Sequence, residues 1–549
     1  MSSTQKSRIA TDLIWNRLIA ILEDQAQNLI RTAFSTTTRE SGDLSAGFFD
    51  REGRMIAQAL TGTPGHVNSM ARAVVHFLDA YPLATLAQGD VLLSNDPWLC
   101  SGHLHDFTLV TPVFHCGTAI GLVANTIHVV DIGGSGFGAG AGDVFEEGLC
   151  LPPLKIARAG EIDASVTQII AANVRDAAQV LGDLHSSLLS NERAGERIGA
   201  LLDEFAIRDV QEVAESIIAR TQATVEARIA ALPDGVYENS LELDSDSGME
   251  RVRLKLKLIV DGSRIILDFG GTSAMQPRGV NVVMNYTSAY AAFGINCLLN
   301  ADIPCNHGSL QPIEVRAPAG SILNATRPAA VSARHMIGHL LPDLVFGALS
   351  QLLPVPAEGA GLIWNPSIRG TDATGRRFTI VAFHAGGAGA LPHRDGWSAT
   401  AFPSGVRAAP VEALEAAVPI LVRRKELRAD SGGAGEFRGG LGQVMEIAGD
   451  GDMPLNVNAM FDRTDSPPRG RGGGGDGACG VASLRSGAPF ASKGPQVMAS
   501  GDTLILQLPG GAGWGNPSTR QRDAVAEDVR QGYVSPAAAA ALYGYSDDS

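Results

Sequence analysis

Residues 94–134 constrain the chain more than any other stretch. They run from Ser94-Asn95-Asp96-Pro97-Trp98 through Gly102-His103-Leu104-His105-Asp106 to His128-Val129-Val130-Asp131-Ile132-Gly133-Gly134. Phe107 to Phe114 is apolar, rich in β-branched residues and only loosely alternating, which predicts a strand. Cys116-Gly117-Thr118 supplies a turn, and Ala119 to Ile127 predicts the returning strand. A hairpin of this length brings His128 back beside His103 and Asp106. Two imidazoles and one carboxylate then share one sheet edge. That mixed nitrogen and oxygen set suits a divalent catalytic ion such as Mn, Fe or Zn with a position open for chemistry. Histidine and aspartate are also ordinary at strand ends, and no short signature such as His-Glu-x-x-His is present, so spacing alone leaves metal and capping roles both open.

Composition narrows the classes. At 549 residues the chain is long enough for two to four domains. A charged fraction of 18% with 45% hydrophobic residues indicates a globular protein. The net charge of −15 argues against nucleic acid or an anionic membrane as main partner. Six cysteines without a Cys-x-x-Cys pair fit reduced thiols. No signal-peptide core and no long apolar run occurs, so the expectation is a soluble, cytoplasmic protein without a membrane partner.

In chain order, residues 7–34 predict a long helix with Ile14, Leu18, Leu22, Ala26, Leu29 and Ala33 on one stripe. Its position suits packing on a partner subunit as well as on the chain's own core. Glu40 and Asp43 precede a predicted strand at 46–50, and His66 is expected in a loop. Each could line a site or be a solvated turn residue. The glycine-rich stretch 133–142 could be a lid or a connector. No phosphate-loop sequence follows it or occurs elsewhere, and no dinucleotide-binding glycine fingerprint is placed after a strand. Residues 164–231 have helical periodicity. From Gly235 the period shifts to two, with Leu254, Leu256 and Leu258 alternating with Arg253, Lys255 and Lys257. His335 and His339 would share a helical face, but Gly338 weakens that helix and a structural role is the simpler reading. The last third reads as β-rich, punctuated by glycine clusters, and closes with a helical hairpin from Arg520 to Tyr543. The expected fold class is α+β and multi-domain. The expected regions are 1–160 (N-terminal helix and metal-site region), 161–234 (helical), 235–410 (mixed α/β) and 411–549 (β-rich).

Several of these segments together resemble the hydantoinase B/oxoprolinase family across nearly the whole chain. They are Gly42-Asp43-Leu44-Ser45, Ser94-Asn95-Asp96-Pro97, Gly102-His103-Leu104-His105-Asp106 and His128-Val129-Val130-Asp131-Ile132-Gly133-Gly134. Glu147-Gly148-Leu149, Leu181-Gly182-Asp183-Leu184, Pro233-Asp234-Gly235 and Pro509-Gly510-Gly511-Ala512-Gly513-Trp514-Gly515-Asn516-Pro517 continue the match. The resemblance implies a metal triad at His103, Asp106 and His128. His105 stands where relatives carry proline and Val129 where they often carry a second histidine, which alters the triad's surroundings.

The resemblance further implies a hetero-oligomer, in which an ATP- and Mg-binding subunit of the hydantoinase A type activates a cyclic amide. The B-type chain then supplies the metal centre for hydrolysis of a hydantoin, lactam or oxoproline-like ring. The alternative within chemistry is a subunit of an ATP-dependent acetone- or acetophenone-type carboxylase. The chain lacks the extra length expected of an acetone carboxylase α subunit, which favours hydrolysis. A noncatalytic scaffold for the A-type subunit is the alternative of another class. Asp43, Glu40 and His66 are the expected catalytic residues, orienting water beside the metal.

Overall fold

The structure is a computed structural model that describes residues 3–244, 251–361, 363–451 and 453–546. The predicted hairpin is its centre. Strands β4 (Asp106–His115) and β5 (Thr118–His128) are joined by Cys116 and Gly117, both at positive φ (49° and 78°). Two consecutive left-handed residues form the tight turn whose twist matches antiparallel strands, and Gly117 enters it without strain. The remaining strands are β1 (Leu44–Phe49), β2 (Met55–Gln58), β3 (Val91–Ser94), β6 (Leu154–Arg158) and β7 (Glu161–Ile162). They complete a seven-stranded antiparallel sheet in the order β2-β1-β5-β4-β3-β6-β7.

This sheet is covered on both faces, which explains the weak alternation of β4. Phe107 and Leu109 point into one core with Ile14, Leu18 and Leu22 of the helix Ser3–Thr32 and with Leu184 and Ile198 of Ala177–Glu204. Val110, Leu92 and Leu122 point the other way, against Val67, Val74 and Phe77 of Pro64–Ala80. The N-terminal helix thus buries its predicted stripe on its own chain, while Ile9 and Leu13 stay about half exposed at 52% and 48%.

A second layer holds β8 (Gly235–Glu242), β9 (Arg253–Asp261), β10 (Arg264–Asp268) and β11 (Ile313–Arg316), ordered β11-β10-β9-β8. Leu254, Leu256 and Leu258 face helices Met284–Leu299 and Leu341–Leu349, while Arg253, Lys255 and Lys257 face solvent.

The last third contains a short pair, β12 (Ile363–Trp364) with β15 (His384–Ala385), and two four-stranded sheets. One is ordered β14 (Arg377–Val381), β13 (Ser367–Thr371), β18 (Leu455–Met460), β20 (Lys493–Met498). The other is ordered β16 (Ile420–Leu427), β17 (Gln443–Gly449), β21 (Thr503–Gln507), β19 (Val481–Leu484). Strands from both sides of residue 410 share the first sheet. Ile368 and Ile380 from before it complete one core with Val457, Met445 and Leu506 from after it.

The glycine clusters form no strands. Gly387 N donates to Pro509 O, Ala388 N to Trp397 O, Ala390 N to Ala512 O, Gly440 N to Ala388 O and Gly511 N to Gly440 O. Successive residues therefore bond to different neighbouring segments, which makes a bundle of extended chains rather than a sheet. The spacing demands glycine: a Cβ at Gly511 would lie 2.0 Å from Ala388 O, and one at Gly387 1.9 Å from Gly440 O. A helical pair, Arg522–Arg530 and Pro536–Tyr543, ends the described chain near where the sequence predicts one.

Candidate active site

Asp106 opens β4 and His128 closes β5, and the hairpin register sets them directly opposite. His103 comes from the preceding turn, which passes Arg334 so closely that a Cβ at Gly102 (φ +101°) would lie 2.7 Å from Arg334 Cδ. All three are buried: His103 2%, Asp106 0% and His128 2% exposed. One ligand atom from each lies within 4.8 Å of the others. His103 Nε2 sits 2.7 Å and His128 Nδ1 3.0 Å from Asp106 Oδ1. Ligand atoms around a tetrahedral ion at ~2.0–2.1 Å are roughly 3.3 Å apart, so the separations are of the right size. The His103 Nε2 contact lacks hydrogen-bond geometry, and while His128 Nδ1 bonds to Asp106, its Nε2 has no partner among the described residues. Buried, unsatisfied ring nitrogens beside a carboxylate suit a cation.

The surroundings orient the triad. His103 Nδ1 lies 2.9 Å from Ser332 O, which as acceptor fixes the proton on Nδ1 and leaves Nε2 with its lone pair toward Asp106. Asp106 Oδ2 accepts from Arg334 Nη2 at 2.6 Å and lies 2.9 Å from His66 Nε2. Burial raises the Asp106 pKa, but its histidine neighbours and Arg334 outweigh it and hold the carboxyl well below its usual range. His103 moves to about 3, through burial and then Arg334. For His66, burial lowers the pKa, and Asp106 and Asp43 more than reverse it, leaving it raised.

Of the expected catalytic residues, the structure brings Asp43 and His66 to the triad. Asp43 Oδ1 is 3.7 Å from His66 Nδ1, and its Oδ2 is 3.9 Å from His128 Nδ1. Glu40 turns away: its carboxylate pairs with Arg39 at 2.8 Å and does not border the triad's cavity. The cause is local. Glu40 ends the short helix Thr36–Arg39, and Gly42 at φ +64° reverses the chain before Asp43.

The cavity is small, about 30 Å³, and bordered by Asp43, His66, His103 and His128 together with Tyr286, Arg334, His335 and His339. The last four come from sequence more than 150 positions beyond the hairpin, so no local pattern announces them. The His335/His339 spacing was a signal, but both fall at the cavity rather than in remote core. His335 Nε2 is 3.0 Å from Asn365 Oδ1, and His339 Nε2 is 3.3 Å from Tyr286 Oη. Burial, then Arg334, takes His335 to about 3; burial, then His335, takes His339 well below its ordinary value. Arg334 itself is 2% exposed, stacked 4.0 Å over Tyr286 and bonded to Ser101 O.

The glycine-rich loop covers the triad. Phe137, 3% exposed, lies 5.0 Å from His128 and His105, 5.8 Å from His103 and 5.6 Å from His335, measured between ring centres. His105, the residue in place of proline, stacks on His128 at 5.4 Å, and neither of its ring nitrogens has a partner among the described residues. No helix among the described residues is long and apolar enough to cross a membrane.

The chain is 30% identical to an uncharacterised protein of Methanocaldococcus jannaschii over 96% of this chain and 94% of that one. It is 29% identical to a 5-oxoprolinase of Pestalotiopsis fici over 94% of this chain, yet spans only 42% of that longer protein. The caprolactamase subunit beta of Pseudomonas jessenii is 27% identical, covering 94% of this chain and 92% of the relative. Two solved structures share the fold. An ATP-dependent caprolactamase from Pseudomonas jessenii superposes with a TM-score of 0.90 at 24% identity, covering 99% of this chain and 97% of that one. A nucleotide-free acetone carboxylase superposes with a TM-score of 0.89 at 20% identity, covering 98% and 80%. The Hydantoinase B/oxoprolinase profile matches residues 7–517, and the chain belongs to the hydantoinase B/oxoprolinase family.

Proposed function

We propose that this chain is the metal-bearing subunit of an ATP-dependent hydrolase of cyclic amides, opening a hydantoin, lactam or oxoproline-like ring. The observation that carries the reading is the convergence of His103, Asp106 and His128 as a buried cluster, with the Nε2 atoms of His103 and His128 left without a hydrogen-bond partner among the described residues. These three would hold one divalent ion, Mn, Fe or Zn. Such an ion, when bound, lowers the pKa of water towards ~7 and polarises a carbonyl. Relatives named 5-oxoprolinase and caprolactamase support a cyclic amide as substrate.

The chain's own groups have defined tasks. Arg334 and His66 keep Asp106 ionised, so that it remains a ligand. Asp43, near both His66 and His128, would accept the proton of the attacking water at its carboxylate. His335 and His339, kept neutral by burial, would orient the ring amide by hydrogen bonds. Phe137 packs edge-on against the His128 ring and forms an apolar wall of the cavity. No phosphate loop occurs in this sequence, so ATP would be bound by a partner of the hydantoinase A type in a hetero-oligomer. The fold is shared with an acetone carboxylase and does not by itself choose the substrate. The complex should therefore be assayed with cyclic amides plus ATP, and with ketones plus bicarbonate plus ATP. Ring opening is expected, and turnover of ketones alone would overturn this reading.

A further inference from the structure

A second polar recess, about 430 Å³ in volume, lies behind the glycine-rich loop, outside the histidine cavity. Its floor is one face of the sheet β14-β13-β18. The register sets Arg369 opposite both Thr379 and Asn456, and Thr371 opposite Arg377, so all five share that face. Arg175, just before the helix Ala177–Glu204, forms the facing wall. Three guanidinium groups thus meet in one concavity of a chain whose net charge is −15.

Of the nearby acids, Asp176 is committed to its helix cap, while Asp131 pairs with Arg175 and leaves Arg369 and Arg377, among the described residues, as the two guanidinium groups without an acidic partner in contact. Asp176 caps its helix, accepting from Gln179 N at 3.1 Å and Gln179 Nε2 at 2.5 Å. Asp131 accepts from Arg175 Nη1 at 2.6 Å, from the Arg175 backbone and from Gly133 N. Among the described residues, neither Arg369 nor Arg377 has a side-chain hydrogen bond or ion pair, although Arg369 is partly buried. Burial, and then the charge of Arg175, lowers the Arg369 pKa against the opposing pull of Asp131, and a bound anion would relieve the remaining cost.

We propose that this recess binds a phosphoryl anion, either inorganic phosphate or the polyphosphate arm of a nucleotide. Planar guanidinium groups pair with phosphate oxygens two at a time, and the threonine hydroxyls and the Asn456 amide are the complementary neutral donors. The volume is that of a small-molecule site rather than a macromolecular interface. The site also adjoins the cover of the histidine cavity. Arg369 Nη1 would lie 2.9 Å from a Cβ at Gly136, Arg175 holds the carbonyls of Gly133 and Gly134, and Asn458 of the same sheet face donates to Phe137 O at 2.9 Å. Anion binding here would therefore fix the loop that carries Phe137.

The test is calorimetric titration of the full chain with inorganic phosphate, pyrophosphate and ATP at fixed ionic strength. Saturable binding is expected, weakened about tenfold or more in both Arg369→Gln and Arg377→Gln and retained in His128→Ala. Arg377 is exposed, so its variant tests the site without threatening the fold. Preference for phosphate over the longer anions assigns free phosphate, and the reverse order assigns a polyphosphate arm. Absence of saturable binding, unchanged binding in Arg377→Gln, or loss only in His128→Ala would overturn the proposal. Because the readout is binding to this chain alone, it fails or succeeds separately from the hydrolase reading.

Discussion

At the scale of single residues, His128 and Glu147 lead to different experiments. His128 ends a strand and presents its ring to a cavity, so its removal takes away a proposed ligand and little core. His128→Ala should lose stoichiometric metal and turnover while its circular dichroism stays unchanged. Elemental analysis that still finds one ion per chain would place the metal elsewhere. Glu147 is buried, with Oε1 accepting from Val331 N at 2.6 Å and Ser332 N at 2.7 Å, while Oε2 has no partner among the described residues. Burial exceeds the effect of those two bonds and raises the carboxyl from 4.5 to about 8. The folded state therefore favours the protonated form. Its stabilisation is complete below the unfolded value and is lost as pH rises from near 4.5 through about 8. Glu147→Gln keeps the Oε1 acceptor and cannot ionise. Its denaturation midpoint should vary less with pH across that window than the parent's; equal slopes would show that Glu147 does not titrate there.

At the scale of elements, the hairpin and the glycine bundle are opposite cases of how a sequence specifies backbone. The hairpin is local: an apolar run, a two-residue turn and a second run define its register without help from elsewhere. The bundle is non-local, because each segment's carbonyls are satisfied by other segments far away in sequence. Gly511 lies between Ala388 and Gly439, with backbone rather than flexible side chain in the way of a Cβ. Gly511→Ala should destabilise the protein by about 3 kcal/mol, read from chemical denaturation, since neighbouring backbone must shift. A change below about 0.5 kcal/mol would mean that the segments are looser than their spacing indicates.

At the scale of the whole molecule, the expected dependence on a partner is the strongest functional consequence. The purified chain should not hydrolyse a cyclic amide with ATP, whereas co-expression with an ATP-binding subunit of the A type should give an active hetero-oligomer that co-elutes in size exclusion. Full activity of the isolated chain would refute this. The half-exposed Ile9 and Leu13, on the face of the N-terminal helix away from its buried stripe, show where apolar surface remains after the chain has covered its own core.

The sequence alone determined the central hairpin, the long terminal helix, the half-exposed strand at 253–258 and the meeting of His103, Asp106 and His128. Each is set by periodicity or by a turn within a few tens of residues. Only the tertiary structure decided that Asp43 and His66 face that triad while Glu40 pairs with Arg39. It likewise decided that Phe137 of an ambiguous glycine loop lies over the histidines and that Arg334, more than two hundred residues from Asp106, is its counter-charge. It also joined strands from both sides of residue 410 in one sheet. The physical reason is common to all of these. Apolar patterning records which face of an element is buried, but not which distant element buries it, and a polar side chain's partner is chosen by the packing that brings the two together.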